Sequence, residues 1–215
     1  QGDWTISSIG LPVPVLRKIY FDNARKLLAR SMPPPVAQAG AVGDFALDGT
    51  LKHPNWMPGY VRPVWIDCQA RDYTARPELA TRVHLAWSAN FLYLGFECPY
   101  TKLTVFEPPR LDGERLGLWD RDVVEVFLGS DSQHIQRYTE FEVAPTNERL
   151  DVKLNLPEKD FAWSSGFQSV VQVDRRAKVW RCEMRIPLKA LSDTPPTIGT
   201  RWRLNLFRCD VANKA

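Results

Sequence analysis

A chain of 215 residues with 44% hydrophobic and 11% aromatic content, and with eight tryptophans, describes a folded globular protein: one sizeable domain plus an appendage, or two small domains. Its 28 basic and 25 acidic residues leave a formal charge of +3 without any Lys/Arg run that would track a phosphate backbone, which argues against nucleic acid as a partner. No window approaches the ~18 apolar residues of a membrane span, and QGDWTISSIG has neither the charged start nor the apolar centre of a signal peptide. The expectation is a chain without a membrane partner, any export signal having been removed or lying upstream.

Residues 14–30, PVLRKIYFDNARKLLAR, carry Val15, Leu16, Ile19, Tyr20, Ala24, Leu27 and Leu28 on a helical stripe. Pro14 suits the first turn of such a helix, and Arg25, Lys26 and Arg30 suit its end. The triple proline of SMPPPVAQAG then predicts an extended, semi-rigid linker. The chain therefore divides into a helical segment at 1–32, a linker at 33–43 and a main domain at 44–215.

From residue 44 the pattern changes to short β-like runs: TRVHLAWS, FLYLGFEC, DVVEVFLG, RYTEFEVA, RLDVKLN, FQSVVQVD, KVWRCEMRI and TRWRLNLFRCD. Strands in this number without long helical patterns between them predict an all-β fold, an antiparallel β-sandwich with one N-terminal helix, jelly-roll-like and of immunoglobulin-like size. SAN and DRRA read as hairpin turns, and PLKAL at 187–191 as a single helical turn. The 99–118 stretch, PYTKLTVFEPPRLDGERLGL, is a long irregular loop of the kind that often carries function.

The run GLWDRDVVEVFLGSD at 117–131 poses the functional question. Asp122, Val124, Val126 and Leu128 fall on one face, and Val123, Glu125 and Phe127 on the other. Both faces are largely apolar, as in a central strand, so each carboxylate needs a partner, protein or ligand. Trp87, Trp180 and Trp202 follow strand alternation and read as core, whereas Trp56 and Trp65 read as covering an end of the sandwich. Cys98 and Cys182 share faces with apolar neighbours and read as buried thiols. Cys68 and Cys209 complete a set of four cysteines with no CxxC pairing. His53, His84 and His134 lie apart without metal-ligand spacing, and no P-loop, GxGxxG, HExxH or GxSxG signature is present. Nothing points to catalysis, a metal or a cofactor.

The ordered set LDGTLKHPNW, RVHLAWSANFLYLGFEC, LWDRDVVEVFLGSD, KVWRCEMRIPLKAL and GTRWRLNLFRCD resembles the family-9 carbohydrate-binding modules and their broader relatives over residues 44–210. The resemblance implies a β-sandwich that binds sugars, often at chain ends, with aromatic platforms and flanking polar groups. It implies a sugar-stacking role for Trp119 and a ligand-contacting role for Glu125, and it adds Asp122, Glu142 and Asn205 as candidate carbohydrate-binding residues. In sugar-binding members a basic residue stands where this chain has Glu142. FECPYT lacks the Asp that helps such modules hold calcium, so calcium stays open while no cofactor is expected. The family's usual final strand, source of a second aromatic wall, is not matched.

The alternatives at each position are plain. Trp119 is either a platform or packing beneath the 99–118 loop. Glu125 contacts ligand or pairs with an arginine such as Arg203 or Arg208. Asp122 contacts ligand or fixes the turn into its strand.

IGLPVPVLRKIYFDNARKLLAR resembles the last helix of amidohydrolase-type metal-dependent hydrolases. That likeness implies a module appended to a hydrolase outside this chain, secreted or periplasmic, and itself without catalysis. Its partners are then a carbohydrate and either the remaining hydrolase or a second chain covering an open strand edge. The other classes are an interaction domain that has lost sugar binding and, behind it, a haem-binding relative.

Overall fold

The computed structural model describes residues 12–18, 22–23, 36–61 and 79–211. The chain divides into two compact units, Gln1–Ala37 and Gln38–Ala215. Within the first, α1 (Val13–Arg17) opens behind Pro12 with a proline in its first turn and Arg17 in its last. Most of the helix expected at 14–30 lies outside the described residues, as do Trp65 and Cys68.

The second unit is all-β. One sheet holds β1 (Gly40–Ala41), β2 (Tyr60–Val61), β3 (Arg82–Trp87), β4 (Phe91–Pro99), β9 (Gln168–Asp174) and β10 (Val179–Pro187). Its order is β1-β3-β4-β10-β9, with β2 also on β3. The other sheet runs β11-β5-β6-β7-β8, from β5 (Val123–Gly129), β6 (Arg137–Val143), β7 (Arg149–Asn155), β8 (Glu158–Asp160) and β11 (Arg203–Cys209). Every pairing is antiparallel except β1 with β3. β1 lies inside the stretch that composition marks as linker. Among the described residues, β11 forms one edge of its sheet.

Alternation builds the core. Leu92, Leu94, Phe96 and Cys98 of β4, with Trp180, Cys182, Met184 and Ile186 of β10, face Val124, Val126 and Leu128 of β5 and Phe141 and Val143 of β6. Each large apolar side chain fully buried there contributes about 1.5–3 kcal/mol. Trp87 and Trp202 pack against this core from its margin. Burial pushes the Cys98 thiol up to about 11, so it behaves as a small apolar group.

The predicted turns form. Ser88 Oγ accepts the backbone N–H groups of Asn90 and Phe91 between β3 and β4, and Asp174 Oδ1 accepts those of Arg176 and Ala177 between β9 and β10. Leu188–Leu191 is the single helical turn, which we label α2.

Glu183 of β10 explains LDGTLKHPNW. It is buried on the outer face of the first sheet, where Oε2 accepts the N–H groups of Asp48 (2.8 Å) and Gly49 (3.0 Å). Its Oε1 accepts Leu51 N–H (2.8 Å) and Trp56 Nε1–H (3.1 Å). Gly49 has φ +77°, which glycine adopts without cost. Gly95 lies beneath the Leu51 side chain and within 3.3 Å of where the Trp56 ring would meet a Cβ. Trp56 thus seals the outer face of the first sheet with Phe45 and Tyr93, where an end of the sandwich was expected.

Candidate functional site

Trp119 owes its position to the residues on either side. Gly117 takes φ +82°, and a 3-10 turn follows at Leu118–Asp120. Leu118 is fully buried against Val123 and Ala144, which pins the turn across the ends of β5 and β6. With Leu118 pointing in, Trp119 is left 38% exposed.

The second half of the 99–118 loop that borders this turn is tied down by a buried carboxylate, Glu148. Glu148 Oε1 accepts Arg110 N–H at 2.8 Å and the Arg115 Nε–H, while Oε2 accepts the Thr146 hydroxyl at 2.6 Å. Burial alone would raise this carboxyl, but the bonds from Thr146, Arg110 and Arg115 outweigh it and hold Glu148 below its ordinary range. Phe106 of the loop lies between two guanidinium groups, Arg115 at 4.7 Å and Arg121 at 4.5 Å. Farther along, Glu114 Oε2 accepts Asp151 N–H at 3.4 Å. Burial and then the Asp151 charge raise Glu114 to about 7.

Strand parity sorts the candidate residues. Asp122 belongs to the core-facing set of β5 and is buried; Oδ2 accepts Thr104 N–H and Oδ1 accepts Val211 N–H, both at 2.9 Å. It joins the 99–118 loop to the chain beyond β11. Burial raises its pKa, opposed by those two bonds.

Glu125, Glu142 and Asn205 share the outer face of the second sheet. Glu125 stands opposite Glu142 on β6 and opposite Phe207 on β11. Asn205 is exposed one row away, opposite Phe127, and its Oδ1 accepts Leu206 N–H.

Neither Arg203 nor Arg208, the arginines expected beside Glu125, bonds it. Arg208 falls on the core-facing parity, where it bonds Leu79 O, Thr81 Oγ, Pro99 O and Asp210 Oδ2. Arg203 shares the outer face but spans the carbonyls of Asp131, His134, Ile135 and Arg137. Glu125 Oε1 instead accepts a bond from Cys209 Sγ at 3.1 Å.

Glu142 is the most perturbed group on this face. It is 0% exposed and neither carboxylate oxygen has a hydrogen-bond donor. Burial, the Glu125 charge, a hydrogen bond to Glu140, and the charges of Glu140 and Asp120 push it up to about 9. At neutral pH it is a carboxylic acid, and the bond open to it is one it donates to Glu140.

Sequence reasoning passes over Glu140, Asp120 and the aromatic row Phe207, Phe127 and Tyr138. Alternation in RYTEFEVA did contain the signal for Glu140, two residues from Glu142. Phe127 meets Phe207 edge-on at 5.3 Å and Tyr138 at 6.1 Å, so aromatic surface flanks the carboxylates. Asp120 and the aromatic row needed the fold. Among the described residues, no group of three or more His, Cys, Asp or Glu is arranged to hold a metal ion, and no helix is long and apolar enough to cross a membrane.

No family model matches the chain. It is 28% identical over 147 residues to a protein of Arthroderma benhamiae named "Extracellular protein", a match covering 62% of this chain and 64% of that one. The chain thus spans less than two thirds of the length of that curated relative. Among solved structures, it resembles a family-9 carbohydrate-binding module from Caldicellulosiruptor kristjanssonii in complex with cellotriose (TM-score 0.55, 18% identity, 81% of this chain and 77% of that one). The same is true of a family-9 module from that organism in complex with glucose (TM-score 0.57, 17% identity, 81% and 80%). A Bacteroides uniformis structure reaches TM-score 0.63 at 15% identity, covering 80% and 82%. At such identities the likeness establishes the shared sandwich fold.

Proposed function

We propose that this chain is a non-catalytic carbohydrate-binding module whose site is the outer face of the second sheet beside Trp119. The observation that carries the reading is the partly exposed indole, fixed on its 3-10 turn beside a row of carboxylates. A sugar ring offers apolar C–H faces to an aromatic plane and hydroxyl donors to carboxylates, so this pairing of surfaces matches its chemistry. Neighbours of the same fold that bind cellotriose and glucose support it.

Binding is favoured over hydrolysis by the position of Glu142. A general acid must come within hydrogen-bond reach of the glycosidic oxygen, and the protonated carboxyl of this pair is wholly buried. In this reading the module serves a larger hydrolase and acts outside the cell. The N-terminal resemblance supports the first point, and the name of the Arthroderma relative supports the second. The rest of that enzyme, or a second chain, then covers the β11 edge.

Titrating the chain with cello-oligosaccharides tests the reading through tryptophan fluorescence. The emission changes in the wild type and stays constant in Trp119→Ala. An unchanged response in Trp119→Ala, or no response to any glycan by the wild type, refutes it.

A further inference from the structure

The outer face of the first sheet carries a charged row across four strands. Arg82 of β3 stands opposite Glu97 of β4, Glu97 opposite Arg181 of β10, and Arg181 opposite Gln172 of β9. Their chain neighbours Val83, Phe96, Cys182 and Val173 belong to the core, so parity turns the row away from it.

Glu97 holds both guanidinium groups. Its Oε1 pairs with Arg82 Nη2, and its Oε2 accepts Arg181 Nε–H at 2.9 Å. This carboxylate, with its side chain 15% exposed, grips the Arg181 fork by one edge. Among the described residues, both Nη groups of Arg181 are left without a bond.

Arg181 lines a polar groove of about 560 Å³ with Thr50, Lys52, Gln172, Asp174 and Arg175. A second groove of about 580 Å³ shares Thr50, Lys52, Asp174 and Arg181 and extends over Arg82 and Glu97. Lys52 and Arg175 have no carboxylate in ion-pair reach among the described residues. Four cations, Lys52, Arg82, Arg175 and Arg181, therefore meet two carboxylates, Glu97 and Asp174. Burial holds His84 below its ordinary pKa, so the excess does not depend on its charge. Asp174 Oδ1 accepts the N–H groups of Arg176 and Ala177, which leaves Oδ2 as the acceptor for a further donor.

Excess cationic donors beside an acceptor define the ligand. A neutral sugar leaves the charge unmet, and a simple inorganic anion offers Asp174 nothing and is repelled by it. A uronic acid supplies both parts: a planar carboxylate for two parallel Nη–H groups, and hydroxyl donors for a carboxylate.

We propose that this groove is a second saccharide site, on the opposite sheet from Trp119, and that it takes an acidic glycan. A uronate carboxylate is held by Arg181 with support from Lys52, Arg82 and Arg175, while Asp174 accepts sugar hydroxyls. Glu97 positions the fork. The inference goes beyond the Trp119 reading and does not depend on it.

Isothermal titration calorimetry on the 215-residue chain at pH 7 tests it, with oligogalacturonate, its fully methyl-esterified form and oligoglutamate of equal length as probes. The ester keeps the hydroxyls and loses the charge; oligoglutamate keeps the charge and loses the hydroxyls. Oligogalacturonate is expected to bind at least ~10-fold tighter than either, and high salt should remove most of its advantage over the ester. Arg181→Lys, which keeps the charge and removes the fork, should weaken it at least ~10-fold. Lys52→Ala and Arg175→Ala, both at exposed positions, should each weaken it about 3-fold at the wild-type melting temperature, leaving the Trp119 response to cello-oligosaccharides unchanged.

Equal affinity for oligogalacturonate and its ester, or for oligogalacturonate and oligoglutamate, overturns the assignment. Wild-type affinity in Arg181→Lys and both alanine variants does the same, as does loss of oligogalacturonate binding in Trp119→Ala, which would put the ligand on the other sheet. Failure of oligogalacturonate to bind at all also overturns it, and the cello-oligosaccharide titration then decides the Trp119 reading separately.

Discussion

Replacing Glu142 by Gln should stabilise the protein, and the gain should grow with pH. The wild-type carboxyl is raised from 4.5 to about 9 by burial and by the neighbouring carboxylates of Glu125, Glu140 and Asp120. A raised acid binds its proton more tightly in the folded state, so the unfolded chain releases a proton above pH 4.5 that the folded chain retains. Stability therefore falls as pH climbs from about 4.5 towards about 9, at up to ~1.4 kcal/mol per unit. At pH 7 the accumulated cost is of order 3 kcal/mol, an upper figure for so closely coupled a set of acids. The amide of Gln stays neutral at every pH and can donate to Glu125 and Glu140. For a domain of this size 1 kcal/mol is about 2–4 °C, so the variant should melt about 4–10 °C above wild type at pH 7–8. The two should converge near pH 4.5. Calorimetric or circular-dichroism melts between pH 4.5 and 8.5 measure this. A variant with constant offset across that range, or one less stable than wild type at pH 8, refutes the argument by showing that Glu142 is held as a partnered carboxylate.

Glu183→Ala removes the acceptor of four N–H groups, one from the Trp56 indole, and should cost about 3–5 kcal/mol in denaturant melts. A loss under 1 kcal/mol would show that water replaces the carboxylate. Asp122→Ala frees the backbone N–H groups of Thr104 and Val211; hydrogen exchange should accelerate at both, with a loss of about 1–3 kcal/mol and little change at Glu183's partners. Because Glu114 is raised to about 7 against Asp151, its contact with β7 should be strongest below pH 7 and weaken above it. Exchange protection of residues 110–116 should follow that titration, and Glu114→Gln should flatten it. A pH-independent profile in the wild type would remove Glu114 from the loop's anchorage.

How far the sequence reached can be judged residue by residue. Period-2 alternation over segments such as FLYLGFEC and KVWRCEMRI is a local property, and with the turn residues it sufficed for the eight longer strands, both hairpin turns, the buried Cys98 and Cys182, and the two faces of β5, but not for the short β1, β2 and β8. The same alternation separated Asp122 from Glu125. Their partners were beyond its reach. Asp122 is satisfied by backbone groups 18 residues before it and 89 after it, and Glu183 by groups more than 120 residues away.

The places of Arg203 and Arg208 were out of reach for the same reason. Parity along TRWRLNLFRCD places Arg203 and Arg208 on opposite faces, but only the packed chain shows which carbonyls and carboxylates wait there. The pairing of Glu125 with Glu142 is likewise a matter of register between β5 and β6, and a slip of one residue would have put Phe141 in that place. Local sequence determined which side chains alternate and where the chain turns. Tertiary structure decided which charges meet, because desolvation and Coulomb energies depend on through-space neighbours that no local window contains.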